Sequence, residues 1–558
     1  MYIRTTTRKN NDGSITEYLQ LAHNEWDKDS KRSVVKVLLN FGRKDELDVK
    51  GLERLVASIQ RILGTIPNHN SGNVQNNVEV LSSKAYGCCW FLDQLWQRLR
   101  IGDCIKRLLS TKGYEIPVER ALFAMVSNRA IDPASKLSTE HWVNNETYIT
   151  GLPSVSVHHL YRSMDFIIEN DALVQEDIFF GIANLFNLEV DLIYFDTTST
   201  YFETAAPDEA EEGDENNENA LRQFGHSKDK RNDLPQIVIG LAVTKEGIPV
   251  RCWVWSGETS DMSIVEQVKK DLNSWRLGRV ICVMDCGFSS DDNCIKLQSG
   301  GGHYIIGEKM RSGKPEVEIA LSKRGRYTKI KEDIYAKEVI VGDGERRKRY
   351  AVVLNKKEAV KDSKTREKHL QSITRQLAEL GDKNKKEHTK AVCQLASHPI
   401  YGRYLKTLDD GSLGINKAKI TAEEKLDGKY LIKTSDDTLS LLDIVLGYKQ
   451  LHDIERGFRA IKHELELHPV YHRRSDRIKS HVLICWLALL IIRVAENETG
   501  MTWFNIRRLL KQINLVALKL EDGIVHQSTV MNSEQASIFK ACSVKSPPKI
   551  IQLQTSQS

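Results

Sequence analysis

The chain lacks the features that identify several large classes of protein. Its ten cysteines show no metal-finger spacing, and an adjacent pair such as Cys88–Cys89 is typical of buried thiols in a reducing compartment. The opening MYIRTTTRKNN has no apolar signal core. The longest apolar run, Val482–Ile492, is too short to span a bilayer and suits a buried helix. We therefore expect a soluble, intracellular protein that does not bind a membrane.

Neither sign of charge dominates, and no internal repeat is visible. The 80 Lys and Arg residues against 75 Asp and Glu give a net charge of only +5, which by itself says nothing about nucleic acid. At 558 residues the chain is too long for a single hydrophobic core, and 41% hydrophobic residues suffice for several. The sequence therefore predicts two to four domains.

The first third of the chain changes from a β pattern to a helical one. Residues 1–43 alternate in short segments joined by polar turns, which predicts a three-strand meander, and a helix is predicted from about Val49 to Leu63. Residues 79–187 carry apolar residues at the spacings of three and four that are typical of helices. Their arginines and lysines form either a solvated face or a DNA-contacting one, and no clean helix-turn-helix pattern assigns a recognition helix.

Two aspartates each follow a short run of β-formers. Asp196 follows Leu192–Phe195, and Asp285 follows Val280–Met284. Each run predicts a buried strand that delivers its acid at its C-terminal end. Alone, either acid could instead belong to a turn or cap a helix. The strands and helices around them predict a mixed sheet with α crossovers.

A third acid, Glu455, lies in a stretch with helical periodicity. Tyr448, Glu455 and Lys462 recur at intervals of seven, which predicts that they project from one stripe of a helix. Such a stripe is usually a solvated face, but here it offers a metal ligand between two possible phosphate contacts. Downstream lies a cationic cluster that indicates polyanion binding and includes Arg473, Arg474 and Arg477.

Together the three carboxylates indicate a metal-dependent enzyme of nucleic acids. Two strand-end carboxylates facing a helix carboxylate could hold two divalent metals about 3.5–4 Å apart, which clamp the attacking and leaving oxygens of a phosphoryl displacement. Hard carboxylate and phosphate oxygens suit Mg²⁺, with Mn²⁺ as a substitute.

These residues carry a family resemblance. The chain resembles the DDE transposases of bacterial insertion sequences, in the IS-four superfamily, and is most similar to the sixteen-thirty-four group. YFDTTS matches the motif of the first catalytic acid at Asp196, and VMDCG matches the second at Asp285. HSKDKRNDLPQIVIGLAVTKEGIPV and the following SGETSD resemble the stretch that the family carries between its aspartates.

The third motif matches with one departure. The superfamily signature is Tyr, two residues, Arg, three residues, Glu, six residues, Lys, and it is matched by Tyr448, Glu455 and Lys462, while Leu451 occupies the arginine position. The phosphate contact of that arginine is therefore in doubt. Two neighbours on the same segment could replace it, namely Arg456 and Arg459.

The resemblance implies a fold and an activity. It implies an α/β fold in which an RNase H-like catalytic core, a mixed sheet flanked by helices, is interrupted by a β-rich insertion and preceded by a β-meander and a helical domain. It also implies cut-and-paste transposition: metal-dependent cleavage and strand transfer of double-stranded DNA, at terminal inverted repeats and target DNA, by a homodimer in a synaptic complex. Tyr448 and Lys462 would grip phosphates, and residues 79–187, with or without the meander, would recognise the repeats. We expect a bacterial cytoplasmic protein at the nucleoid.

The predicted domain organisation follows from these patterns. The divisions are 1–67, a meander plus helix; 79–187, a helical DNA-end-binding domain; 188–309, the first part of the core with Asp196 and Asp285; 310–430, the insertion; 431–500, the second part of the core with Glu455; and 501–558, a C-terminal region for dimerisation.

Two other functions compete with this interpretation. The first is a catalytically silent DNA-binding protein derived from a transposase, which the intact acidic triad argues against. The second is a different carboxylate-pair hydrolase, such as a glycosidase. A glycosidase would need no metal, and it leaves the basic cluster at residues 472–481 unexplained.

Overall fold

The computed structural model describes residues 2–9, 15–27, 32–44, 47–62, 78–110, 112–186, 192–204, 206–209, 220–275, 280–344, 347–380, 385–409, 412–468, 470–520 and 523–555. The polar stretch at 68–77 and most of the acidic stretch at 207–220 lie outside these residues. The chain divides into two compact units. Unit 1 comprises Met1–Val174 and Leu483–Ser558, and unit 2 comprises Gln175–Val482.

The described strands are numbered in chain order. They are β1 (Tyr2–Lys9), β2 (Ile15–Asp27), β3 (Arg32–Arg43), β4 (Glu79–Ala85), β5 (Leu192–Tyr201), β6 (Gln236–Val243), β7 (Pro249–Ser256), β8 (Ile281–Met284), β9 (His303–Glu308), β10 (Thr328–Lys331), β11 (Ile334–Val341), β12 (Lys348–Asn355), β13 (Leu405–Thr407), β14 (Leu413–Ile415), β15 (Lys429–Thr434), β16 (Asn514–Leu520), β17 (Gly523–Ser528) and β18 (Ile550–Thr555).

The described α-helices are numbered in the same way. They are α1 (Val49–Ile62), α2 (Gly87–Arg98), α3 (Ile101–Leu109), α4 (Val118–Ile131), α5 (Lys136–His141), α6 (Val157–Glu169), α7 (Asp171–Phe186), α8 (Val265–Ser274), α9 (Asp291–Gln298), α10 (Pro315–Ser322), α11 (Lys356–Leu380), α12 (Lys385–Ala396), α13 (Lys417–Glu424), α14 (Leu441–Lys449), α15 (His452–Arg459), α16 (Ser475–Thr499), α17 (Trp503–Leu510) and α18 (Ser533–Ala541).

Unit 1 contains two antiparallel sheets and a helical core. Strands β1, β2 and β3 form the predicted meander, and α1 confirms the predicted helix. The second sheet has the order β18-β17-β16-β4, so the C-terminal strands pair with the strand that precedes the helical region. Helix α4 is buried along nearly its whole length and packs against α2, α3, α5 and α6. The helical pattern predicted for residues 79–187 is therefore largely confirmed, apart from β4.

Some cations of the helical region are structural rather than free. The guanidinium of Arg98 donates to both carboxylate oxygens of Glu498 at 2.7 Å and to the carbonyl of Cys542 at 2.6 Å, tying α2 to the C-terminal part of unit 1. Arg120 likewise pairs with Asp93 at 2.8 Å. These charges contribute to the interior of unit 1.

Unit 2 is built on one nine-stranded mixed sheet with the order β10-β11-β12-β15-β9-β8-β5-β6-β7. Strands β5, β8 and β9 are parallel neighbours, and the other pairs are antiparallel. Strands β10–β12 of the 310–430 segment extend this sheet, while α11, α12 and the small β13–β14 hairpin surround a separate apolar cluster. The predicted mixed sheet is confirmed. The predicted β-rich character of the 310–430 segment is wrong, because its helices α10–α13 contain more residues than its strands β10–β14.

One described helix is long and apolar enough to cross a membrane by length and composition. It is α16, whose most apolar 18-residue stretch is 89% buried inside the protein. Burial of this kind is what the run Val482–Ile492 predicted, since a core helix can be apolar all round.

Candidate active site

Asp196 and Asp285 are brought side by side by the parallel pairing of β5 and β8. The registered pairs run from Leu192 with Ile281 to Phe195 with Met284, and each acid is the residue that follows the last of these pairs along the chain. Neighbouring strands lie about 4.8 Å apart. The two carboxylates therefore meet where the parallel ladder ends.

The two acids reach that point differently. Strand β8 ends at Met284 and Asp285 opens a 3-10 turn, which confirms the predicted strand-end position. The same prediction for Asp196 is wrong, because β5 continues to Tyr201 through antiparallel pairs with β6. Asp196 is thus held within a strand. Its neighbour Phe195 points into the core, where it packs edge-on against Phe288 at a centroid distance of 5.5 Å.

The environment of Asp196 makes its carboxylate easier to protonate than an ordinary aspartate. Burial, and then the nearby carboxylates of Asp285 and Asp261, raises its pKa to about 6, against the lowering effects of the Lys228 ammonium and the Thr197 backbone N–H. That N–H donates to Oδ1 of Asp196 at 2.7 Å. Clustered carboxylates of this kind gain stability from an added positive charge.

Lys228 and Asp261 complete this cluster and were not predicted as site residues. The ammonium of Lys228 lies 3.6 Å from Oδ1 of Asp196 and 3.8 Å from Oδ2 of Asp261. It also donates to the carbonyl and hydroxyl oxygens of Thr197 at 2.6 and 2.7 Å. Both residues lie in the HSKDK and SGETSD segments, so the signal was present only in the family resemblance and gave no role for either side chain.

Tyr448 approaches the other carboxylate. Its hydroxyl lies 3.4 Å from Oδ1 of Asp285, within hydrogen-bond distance. Burial, and secondarily the charge of Asp285, raises the pKa of Tyr448 well above its ordinary value, so the phenol stays protonated and can donate. Tyr430 stacks on its ring at 6.1 Å. The structure therefore brings Tyr448 to the aspartate pair.

Glu455 lies on a helix that packs against the strand of Asp196. Helix α15 contacts β5 and β6, and the side chain of Glu455 is exposed. The predicted continuous helix through Tyr448, Glu455 and Lys462 is wrong, because α14 ends at Lys449 and α15 begins at His452.

Gln450 and Leu451 account for this break. The side chain of Gln450 accepts a hydrogen bond from the Tyr194 hydroxyl at 2.6 Å, and the backbone turns through a bond from Leu451 N to the Tyr448 carbonyl. Leu451, at the signature arginine position, immediately precedes α15, and its apolar side chain makes no capping hydrogen bond.

The side chain of Lys462 forms an ion pair within the protein. It is 9% exposed, and its ammonium lies 2.8 Å from both carboxylate oxygens of Asp229. Asp229 is adjacent in sequence to Lys228, so one loop contacts both the Asp196 strand and the π-helical turn Ala460–Glu464 that follows α15. Insertions of this π type are frequent at functional sites.

The remaining predicted DNA contacts lie on the same stretch of chain. Arg456 and Arg459 are exposed on α15, and Arg473 is exposed shortly before α16. Arg474 pairs with Asp476 at 2.7 Å. The cluster also contains Arg477, which is partly buried at the start of α16. Their contacts with DNA stay predictions.

The donor set fits a hard divalent cation in its chemistry. Asp196 and Asp285 offer adjacent carboxylates, and such oxygens are what Mg²⁺, Mn²⁺ and Ca²⁺ prefer. Across the described ranges, however, no group of three or more potential ligand side chains lies close enough together to hold an ion. Asp196 and Asp285 are therefore brought together, and Glu455 is placed on a neighbouring helix.

Comparisons with known proteins identify the family. A model described as "IS1634 family transposase, N-terminal domain" matches residues 3–70, and one described as "Transposase DDE domain" matches residues 214–491, a range that contains Asp285 and Glu455 and begins after Asp196. No curated protein matches.

Among solved structures, the cryo-EM structure of the piggyBac transposase synaptic complex with hairpin DNA is 11% identical, with a TM-score of 0.35, over 77% of this chain and 82% of that one. A likeness this weak carries no argument. The two family matches do carry an argument. DDE transposases use divalent metal. The chain belongs to the DDE transposases, in the IS1634 group.

Proposed function

We propose that this transposase cleaves double-stranded DNA at the terminal inverted repeats of its insertion sequence and joins the ends to target DNA. Its catalytic carboxylates would be Asp196, Asp285 and Glu455, on an RNase H-like core. The observation that carries the proposal is the placement of Asp196 and Asp285 as consecutive neighbours at the end of the β5–β8 ladder. Family membership supplies the reaction class.

The three carboxylates would hold two Mg²⁺ ions, or Mn²⁺. When bound, these ions supply the positive charge that favours ionisation of the attacking hydroxyl and departure of the 3′ oxygen. The protein's own contribution is to fix the positions of the carboxylates that would bind the metal. The hydroxyl of Tyr448 orients Asp285, and the backbone N–H of Thr197 orients Asp196.

Cationic side chains near the site would position the DNA. Contacts of arginine with phosphate fix the register of a protein on a duplex without reading its sequence. Arg456, Arg459 and Arg473 are exposed side chains on this stretch of chain, and we assign them this role. We further propose that two copies act together on two ends, as a homodimer at the bacterial nucleoid.

A nicking assay tests the proposal directly. Duplex oligonucleotides carrying the element ends would be incubated with the full chain and Mg²⁺, Mn²⁺ or EDTA. We expect 3′-end nicking with either metal, none with EDTA, and none with Asp285→Ala. Asp292→Ala, an exposed acid in the first turn of α9, is the matched control and should cleave normally. Equal cleavage activity of Asp285→Ala and wild type would contradict the proposal.

The role of Glu455 needs a separate comparison. Glu455→Gln removes one charge with little change of shape, and Glu464→Gln makes the same change at another exposed position nearby. We expect loss of cleavage only for the first. Retained cleavage in Glu455→Gln would remove this residue from the triad, and tight DNA binding without cleavage by the wild type would favour a catalytically silent protein.

A further inference from the structure

The β1–β2–β3 sheet has two faces of different chemistry. Because side chains alternate along a strand, the even-numbered residues of β1 and β2 share one face with their cross-strand partners on β3. We name this the polar face. It includes Arg4, Arg8, Tyr18, Gln20, Asn40 and Arg43 toward one end of the strands, and the apolar residues Ala22, Trp26, Val35 and Val37 toward the other end.

The carboxylates of these strands lie on the opposite face. They are Glu17, Glu25 and Asp27, and two of them are paired locally: Glu17 with Lys44 at 2.5 Å, and Glu25 with Lys36 at 2.8 Å. The polar face carries arginines and no acid. Such a separation leaves one face with an uncompensated positive charge.

Side chains of the polar face are aligned in rows across the strands. Arg4 pairs with Gln20, which pairs with Asn40 on β3. The next row is Thr6, Tyr18 and Arg43. Neighbouring members of a row lie about 5 Å apart, and the two rows lie about 7 Å apart, roughly two base-pair steps along a duplex.

This face is open. β1 is exposed at every position except the partly buried Thr6. Within the described part of the chain, Arg4, Arg8 and Gln20 make no side-chain hydrogen bond or ion pair. Asn40 uses its oxygen to accept from the Gly42 backbone at 3.2 Å, which closes a β-bulge and leaves its NH₂ group to donate.

We propose that the polar face of β1–β3 enters the major groove of duplex DNA and reads the terminal repeat of the element. The major groove admits β-ribbons, and side chains read it in a defined way: arginine donates to guanine O6 and N7, and amides pair with adenine N6 and N7. Within the Arg4–Gln20–Asn40 row, Arg4 and Gln20 present these groups side by side, and Asn40 adds an NH₂ donor. Arg8 and Arg43 flank it as phosphate contacts. The inference rests on the proposed function, because it takes DNA ends as the substrate.

Binding of the full chain to a labelled terminal-repeat duplex, and to a scrambled duplex, would test this in EDTA, where no cleavage occurs. We expect Arg4→Ala and Gln20→Ala to lower repeat affinity about 5- to 150-fold, with a smaller effect on the scrambled duplex. Arg8→Ala should weaken both and reduce the salt dependence by about one ion. Lys9→Ala, also exposed on β1 but on the opposite face, is the matched control and should bind normally.

Modified DNA locates the contact. Replacing guanines of the repeat with 7-deazaguanine removes the N7 acceptor, so it should weaken the wild type and leave Arg4→Ala unaffected. Wild-type affinity in Arg4→Ala and Gln20→Ala would overturn the proposal. So would an altered oligomeric state in these variants at unchanged DNA affinity, since that assigns the face to a second copy. Normal repeat binding without any metal-dependent cleavage would overturn the proposed catalytic function and leave this inference standing.

Discussion

The hydroxyl of Tyr448 lies 3.4 Å from the carboxylate of Asp285 because Gly307 leaves room for the phenol. Strand β9 continues beside β8, with Ile306 opposite Met284, so Gly307 lies next to Asp285. A Cβ at Gly307 would lie 2.1 Å from the Tyr448 hydroxyl and 3.3 Å from the Cys286 backbone nitrogen. The absence of a side chain at 307 is therefore a condition for this contact.

Gly307→Ala should impair catalysis by displacing Tyr448. We expect a loss of cleavage rate at least as large as that of Tyr448→Phe, about 10-fold or more, since one hydrogen bond to a charged group is worth about 1.5–3 kcal/mol. Single-turnover cleavage at saturating DNA measures this. Gly447→Ala is the control, because its Cβ meets only ordinary contacts at 3.5 and 3.6 Å and alanine favours the helix. Full activity in Gly307→Ala would show that the Tyr448 contact is dispensable.

Lys228→Met should tighten the binding of divalent metal. Its ammonium lies close to two carboxylates, Asp196 and Asp261, and opposes the binding of a further cation there. The side chain is 37% exposed, so solvent screening reduces the effect to about 1 kcal/mol, or about 5-fold in the dissociation constant for Mn²⁺. Calorimetric titration of the DNA-free protein with Mn²⁺ measures this without any reaction. Lys228→Arg keeps the charge and should resemble the wild type, whereas weaker binding in Lys228→Met would mean that the ammonium supports the site.

The Lys462–Asp229 pair should contribute to the stability of unit 2. Removing Asp229 leaves the largely buried Lys462 ammonium without its partner, so Asp229→Asn should destabilise more than Lys462→Met. A double-mutant cycle in denaturant should give a coupling of about 1–2 kcal/mol, discounted because Asp229 is 29% exposed. If Lys462 serves chiefly as a phosphate contact, Lys462→Met will instead weaken DNA binding and leave unfolding unchanged.

Local patterns were sufficient to predict much of the fold. The meander, α1 and the two strands that precede Asp196 and Asp285 follow from alternation, β-former runs and turn residues, because these signals are contained within single elements. The adjacency of Asp196 and Asp285 follows from two β-runs, each ending in an acid, provided that the strands are parallel neighbours. Parallel pairing depends on contacts between distant segments, and the predicted mixed sheet with α crossovers did not specify which strands would be neighbours.

Tertiary contacts explain what the patterns missed. The helix through Tyr448 and Lys462 has the right periodicity, and no Gly or Pro marks its break at Gln450, which is fixed by a hydrogen bond from Tyr194 in another element. The pairing of Lys462 with Asp229 spans 233 residues. Periodicity assigns a residue to a face of its own helix, and it does not identify the partner on that face.

A buried lysine in unit 1 should make stability depend on pH. Lys136 is 4% exposed at the first position of α5, where the helix dipole also disfavours a cation. Burial, and secondarily the Arg129 guanidinium, lowers its pKa to about 7. The unfolded chain therefore binds more protons than the folded one above pH 7, so stability should rise as the pH increases from about 7 toward the ordinary lysine pKa near 10.4. Below pH 7 the full destabilisation from burying the charged ammonium is present, and Lys136→Met should remove it.

We expect Lys136→Met to raise the Tm of unit 1 at pH 6 by at least about 2–4 °C, the shift that each kcal/mol gives in a unit of this size. The variant should also flatten the rise of stability with pH. Lys540→Met, at an exposed position of α18, should do neither, and parallel pH profiles for wild type and Lys136→Met would show that Lys136 keeps its proton in the folded protein.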